Sequence, residues 1–309
     1  MPTIAPPSVM STRRHILFAA AGLSGAALAA PRGSVPATRR LDLTDPKVAL
    51  ESYVKLRGST IDETVYQPYG GDIFLAVDGK LGVPLLGFWG LQKSHWRRAA
   101  DGSWSNADFD LGFYVDYETR QIIDTWSNPI TGRKVKVHHY RGGPSGGRFA
   151  LGASEQARDP YSNLEGRWSI AGGQVWYTSS RWGEFPNPIK KEEFPEAWSG
   201  EMFRNSMSST YAGRFEDLAD PAVTQVPGLQ IWSNTCSWMA WMEMGHEPGY
   251  HHWRWIGAKG TAKRDLDPAL VAAVERAWPG YVTRDTRWKV PTSGSLDYLR
   301  LRRGLPVSE

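Results

Sequence analysis

The sequence predicts a mainly β protein, an antiparallel barrel-like fold with a few peripheral helices. Three observations carry this. Stretches of alternating apolar and polar residues recur from Asp62 to Met244, the period of a strand with one buried face. Turn pairs such as Asp78-Gly79, Asp101-Gly102 and Gly172-Gly173 punctuate them at hairpin spacing. Helix-start chemistry is sparse by comparison.

In chain order, Thr64–Gln67 and Asp72–Val77 read as short strands separated by Gly70-Gly71. Leu85–Arg98 is a longer aromatic strand region. Phe109–Tyr117 carries Leu111, Phe113 and Val115 at spacing two, which suits a half-buried strand. Gln121–Trp126 returns after a turn at Glu118-Thr119-Arg120. Lys134–Tyr140 follows, with Val135, Val137 and His139 on one face. Gly142–Arg148, with four glycines and a proline, reads as a loop and the one place for a domain seam. Trp168–Ile170 and Gln174–Arg181 form a hairpin around Gly172-Gly173. Glu184–Trp198 is Pro-rich and charged, an exposed excursion. Met202–Phe215 and Leu229–Met244 are further strands, the latter apolar on both faces and so central or cavity-lining. Asp267 caps a helix that Pro268 opens and Pro279-Gly280 stops. Ser293–Arg303 is a second helix candidate.

So many strands need their edges managed, by closure into a barrel or by a second sheet. Fifteen tryptophans exceed what a small closed core needs. A lipocalin- or calycin-like barrel around a Trp-lined cavity is the expectation.

Residues 1–30 read as a twin-arginine export signal. Arg13 and Arg14 precede the apolar segment Ile16–Ala30, and Ala27 and Ala29 form an Ala-x-Ala cleavage site. The segment is short and rich in Gly and Ala, below the roughly 20 apolar residues of a spanning helix, so no stable membrane anchor is expected. The expected location is the periplasm, with the twin-arginine translocase as a partner during export. Residues 31–44 read as a linker and 45–309 as a single domain.

Setting aside Arg13 and Arg14, 34 basic residues face 32 acidic ones. That balance offers no field for nucleic acid or an anionic membrane. Cys236 is the sole cysteine, so no internal disulfide forms. The chain lacks a phosphate loop and a His-Glu-x-x-His string; Pro248 breaks the last after His246-Glu247.

Two segments carry a resemblance. One is Trp126-Ser127-Asn128-Pro129-Ile130-Thr131-Gly132 followed by Val135-Lys136-Val137-His138-His139. The other is Ser237-Trp238-Met239-Ala240-Trp241-Met242-Glu243-Met244-Gly245, with Trp278-Pro279-Gly280-Tyr281 further on. Together they resemble the domain-of-unknown-function family eighteen-thirty-eight, over roughly Asp45 to Trp288. The resemblance implies export by the twin-arginine route but carries over no catalytic residues. The family's histidine falls on His139. Where the family pattern has Asn-Asp-Pro, this chain has Arg141-Gly142-Gly143-Pro144.

The candidate chemistry is acid–base. His139, on the face of Val135 and Val137, is the first candidate for proton transfer. Glu243, a carboxylate among Trp and Met, and Tyr117 are its candidate partners. Trp126, Trp176, Trp238, Trp241 and Met242 are the expected ligand-binding residues. His246, His251 and His252 are the candidates for a metal, and no other cofactor is expected. The expected function is binding of a hydrophobic or aromatic small molecule, with cofactor-independent lyase, dehydratase or isomerase chemistry. The alternatives are a non-catalytic lipocalin-like carrier and a metal-dependent enzyme using the histidine cluster.

Overall fold

The computed structural model describes residues 41–79, 81–151, 166–283, 299 and 304. The expected export signal and most of the expected linker lie outside the described residues, as does the 293–303 helix candidate apart from Leu299.

The chain begins with α1 (Pro46–Arg57), capped by Asp45, whose carboxylate accepts from the Lys47 and Val48 amides. Pro46 fits the first turn because its missing N–H would have no partner there. Three long strands follow as a meander: β1 (Glu63–Ala76), β2 (Pro84–Arg98) and β3 (Trp104–Val115). Then come the short β4 (Thr125–Ser127), β5 (Lys134–Lys136), β6 (Tyr140–Ser145) and β7 (Arg148–Phe149). A second meander comprises β8 (Arg167–Ala171), β9 (Gln174–Pro186), β10 (Met202–Arg214), β11 (Gly228–Cys236) and β12 (Tyr250–Lys259). The short α2 (Phe215–Ala219) sits between β10 and β11, and α3 (Pro268–Ala277) follows β12.

Ten strands form one antiparallel sheet in the order β6-β3-β2-β1-β12-β11-β10-β9-β8, with β7 also on β3; β4 and β5 pair separately. The meanders join where β1 pairs with β12, Tyr69 opposite Gly257 through Ala76 opposite Tyr250. Gly71 sits at this seam because a Cβ there would lie 1.9 Å from the Arg254 carbonyl oxygen. Among the described residues no pairing joins β6 to β8. The mainly antiparallel β architecture with few helices stands as expected.

Each face of the sheet is covered differently. On the outer face, Leu91, Phe109, Leu111, Phe113 and Val115 pack with Leu270 and Val274 of α3 and with Trp278. On the inner face α1 plugs one end. Tyr53 meets Tyr177 edge-on at 4.9 Å, and Val54 and Leu56 join Val65, Trp96 and Phe149. Leu41 and Leu43 pack against the same cluster, so packing begins inside the expected linker. Lys259 fixes the end of α1 by donating to the Lys55 and Gly58 carbonyls at 2.7 and 3.0 Å. Burial pulls that amine down to about 7, against the pull of Glu63. The other end is plugged by Trp126, Val135, Phe194, Trp238, Trp241 and Met242.

Several elements depart from the sequence reading. The two short strands expected around Gly70-Gly71 are one strand, β1. Gly142–Arg148 is largely strand: Asp110 pairs with Gly142 and Asp108 with Ser145. Its glycines serve close approach, since a Cβ on Gly143 would lie 2.4 Å from the Asp108 carbonyl oxygen. Pro144 is tolerated because β6 is an edge strand. The strand expected over Gln121–Trp126 begins only at Thr125, with an isolated bridge from Ile122 to Val115 before it, and the strand from Lys134 stops at Lys136 rather than Tyr140. The strand expected through Met244 ends at Cys236, and Ala240–Met242 is a single 3-10 turn. Glu184–Trp198 is no free excursion, because Ile189, Phe194 and Ala197 are buried in the core. The Gly172-Gly173 hairpin and the Asp267-capped helix form as read.

Candidate functional site

Between the two plugs the inner face encloses a cavity of about 900 Å³. Strand alternation selects its lining: 205, 207, 209 and 211 on β10, then 230, 232, 234 and 236 on β11. Tyr69, Phe88, Tyr114, Trp253 and Trp255 form an aromatic wall on β1, β2, β3 and β12. Phe88 meets Trp253 edge-on at 4.7 Å, and Trp232 extends the wall onto β11 by stacking on Trp255 at 5.4 Å. Opposite stand Ser179, Asn205, Ser209, Gln230 and Asn234.

The acidic groups of the cavity come from β3. Asp108 is saturated: Arg57 bonds it at 3.1 Å, Asn106 at 2.8 Å, and Ser94 closely. Asp110 is different. Its Oδ1 accepts the Tyr69 hydroxyl at 2.5 Å. Burial raises its carboxyl to about 7, opposed by the Tyr69 bond and the Leu111 amide and reinforced by the charge on Asp108. A carboxyl so placed exchanges its proton near neutral pH. Two glycines make the pairing possible. A Cβ on Gly90 would lie 2.4 Å from the Tyr69 hydroxyl, and one on Gly112 would lie 2.1 Å from the Phe88 ring. Burial also raises Tyr69 well above the ordinary phenol range, so it remains a donor.

Cys236 and His251 face each other in the wall, Sγ to Nε2 at 3.1 Å. Burial lifts the thiol to about 12 and drops the imidazole to about 3, so neither carries charge near neutrality. Such a thiol is not poised as a nucleophile.

The residues singled out from sequence lie elsewhere. His139 is outside the cavity lining; its Nδ1 accepts the Tyr114 amide at 3.2 Å, extending β3's bonding past β6. Burial pulls it down to about 4, with Asp124 opposing and His138 adding to the fall. Glu243 sits at the end of the 3-10 turn with φ 51° and lies 4.0 Å from Arg133. Tyr117 is in the turn after β3, with the Arg120 guanidinium over its ring at 5.0 Å. The structure does not bring these three together in the cavity. Trp126, Trp238, Trp241 and Met242 belong to the plug at its end, and Trp176 is on the outer face of β9. His246 is on an exposed turn. His251 and His252 are adjacent on β12 and so face opposite sides; His252 bonds Thr235 at 2.7 Å. Among the described residues no three His, Cys, Asp or Glu side chains converge as a metal site.

Asp108 and Asp110 went unremarked in the sequence reading. They alternate with Phe109 and Leu111 and so read as the solvent side of the strand. The signal against that was Gly112 and Tyr114 continuing the same face, residues that suit a crowded interior.

The fold and cavity define a class: an antiparallel β protein with a deep, aromatic-walled cavity on the inner face of one sheet. The chain belongs to the family of proteins of unknown function DUF1838, whose sequence profile matches residues 62–302. No curated protein matches the chain significantly.

Proposed function

We propose that the cavity binds a hydrophobic or aromatic small molecule and that Asp110 passes a proton to and from it. The reaction is cofactor-independent, of lyase, dehydratase or isomerase type. The carrying observation is a carboxyl raised to about 7 in an aromatic-walled cavity, held at Oδ1 by Tyr69. The carboxyl so held is placed to give or take the proton. The curled sheet with plugged ends acts as a lipocalin-like cup, although β6 and β8 are not bonded to each other. We propose further that Arg13 and Arg14 direct export to the periplasm through the twin-arginine translocase.

The test is native mass spectrometry on protein from the native host, then turnover screening of aromatic and alicyclic compounds with wild type and Asp110→Asn. The variant is expected to lose about 100-fold in kcat/KM while holding ligand affinity within about threefold. Full activity in the variant would remove Asp110 from the chemistry. Binding with no turnover in either protein would make the cup a carrier. Replacing Arg13 and Arg14 with lysine is expected to leave the protein in the cytoplasm; undiminished export would refute that assignment.

A further inference from the structure

We infer that the ligand is a flat ring system with uncharged hydroxyl groups along one edge: a phenol or ring alcohol, not a bare hydrocarbon or an organic anion. This deepens the binding reading above and rests on it.

The basis is how the wall divides by strand. On β1, β2, β3 and β12 the cavity meets the rings of Tyr69, Phe88, Tyr114, Trp253 and Trp255. On β9, β10 and β11 hydroxyls and primary amides predominate, beside Arg181, Met207, Trp232 and Cys236. A ring lying against the first wall turns its edge toward the second.

The amides are not all consumed by the fold. Gln230 is, since it donates to Ser209 at 3.0 Å and accepts from Gln67 at 2.5 Å. Asn205 and Asn234 are not: the Oδ1 of each is buried without a hydrogen-bond partner. A buried carbonyl left unpaired is costly. Asn234 donates Nδ2 to Cys236 Sγ at 3.7 Å and so offers a hydroxyl its Oδ1 as acceptor, while rotation of the Asn205 amide by half a turn lets it meet a hydroxyl as donor or acceptor.

Charge argues against an anion. Arg57 is matched by Asp108 at 3.1 Å. An anion would also meet the carboxyls of Asp108 and Asp110. A bare hydrocarbon would bury the two amides against nothing that bonds them.

The test is tryptophan fluorescence quenching of the full chain, with Trp232, Trp253 and Trp255 in the wall as reporters. The probes are naphthalene-2,7-diol, 2,7-dimethoxynaphthalene and naphthalene-2-sulfonate. The diol is expected to bind about tenfold tighter than either of the others. Asn205→Leu combined with Asn234→Leu should abolish that preference and leave the ether's affinity within about threefold. If the double variant lacks the wild-type circular dichroism spectrum, Asn234→Leu alone should cut the preference about threefold. An ether or sulfonate binding as tightly as the diol overturns the inference and leaves the binding reading standing. So does a diol preference that survives in the folded leucine variant. Failure of all three probes to bind overturns both.

Discussion

Replacing Asp110 with asparagine should change how stability depends on pH, in a direction the structure sets. Burial raises the folded carboxyl from 3.8 to about 7. Below about pH 4 the group is protonated in folded and unfolded chains alike and costs nothing. Between about 4 and 7 the unfolded chain ionises first, so wild-type stability falls as pH rises. Above about 7 the full cost is present. About three pH units at about 1.4 kcal/mol each set a ceiling near 4 kcal/mol, and water reaching the carboxyl from the cavity lowers it to about 2–4 kcal/mol. Asparagine keeps an oxygen to accept the Tyr69 hydroxyl and does not titrate. The assay is urea unfolding of both proteins at pH 4, 6 and 8.5, followed by tryptophan fluorescence. The variant should gain about 2–4 kcal/mol on the wild type between the first and last pH. A stability difference that stays flat, or moves the other way, refutes the burial argument and with it the case for Asp110 as a proton carrier.

Other outcomes follow from the same geometry. Gly112→Ala drives a methyl into the Phe88 ring and should cost about 1–3 kcal/mol in urea unfolding, with weaker ligand binding; an unchanged midpoint would show that the aromatic wall yields freely. His139→Ala removes the acceptor of the Tyr114 amide and should cost about 1–2 kcal/mol without changing turnover; a loss of turnover at intact stability would return His139 to the chemistry. His139 and His251 are lowered to about 4 and about 3, so protonation of the unfolded chain drains stability as pH falls from about 6.5. His139→Gln should flatten that decline between about pH 6.5 and 4, and an unaltered slope would count against the shift. Asp45→Ala and Asp267→Ala each remove an N-cap and should cost about 1 kcal/mol.

Turn chemistry made much of the fold legible. Gly172 and Gly173 have φ of 56° and 74°, and a glycine pair between alternating strands has few other uses. Asp267-Pro268 marked α3 for a similar reason. The same pair, Asp45-Pro46, stands at the start of α1, where the sequence expectation placed only a domain boundary and no helix. Period alone misled where both faces of a strand are enclosed. On β3 the apolar set Leu111, Phe113 and Val115 packs under α3, and Asp108, Asp110 and Tyr114 turn into the cavity. The alternation is real, but it does not say which side is water. Glycines misled on β6, where they let an edge strand lie close to β3. Candidate residues chosen for unusual character, His139 and Glu243, proved to finish backbone hydrogen bonding and end a turn. The residues of the cavity are ordinary ones made unusual by neighbours that only the sheet brings near.

The pairing of β1 with β12 imposes a timetable on assembly. Strand β1 leaves the ribosome early and can form its hairpin with β2 at once, but its other edge waits for nearly the last strand. Until β12 arrives, the sheet is two separate meanders with a raw edge each, and Trp253 and Trp255 are missing from the wall. The cavity is therefore completed in one late, long-range step, the slow kind of closure. A chain released short of Lys259 would have no half-built cup to offer, only two edges open to the wrong partner.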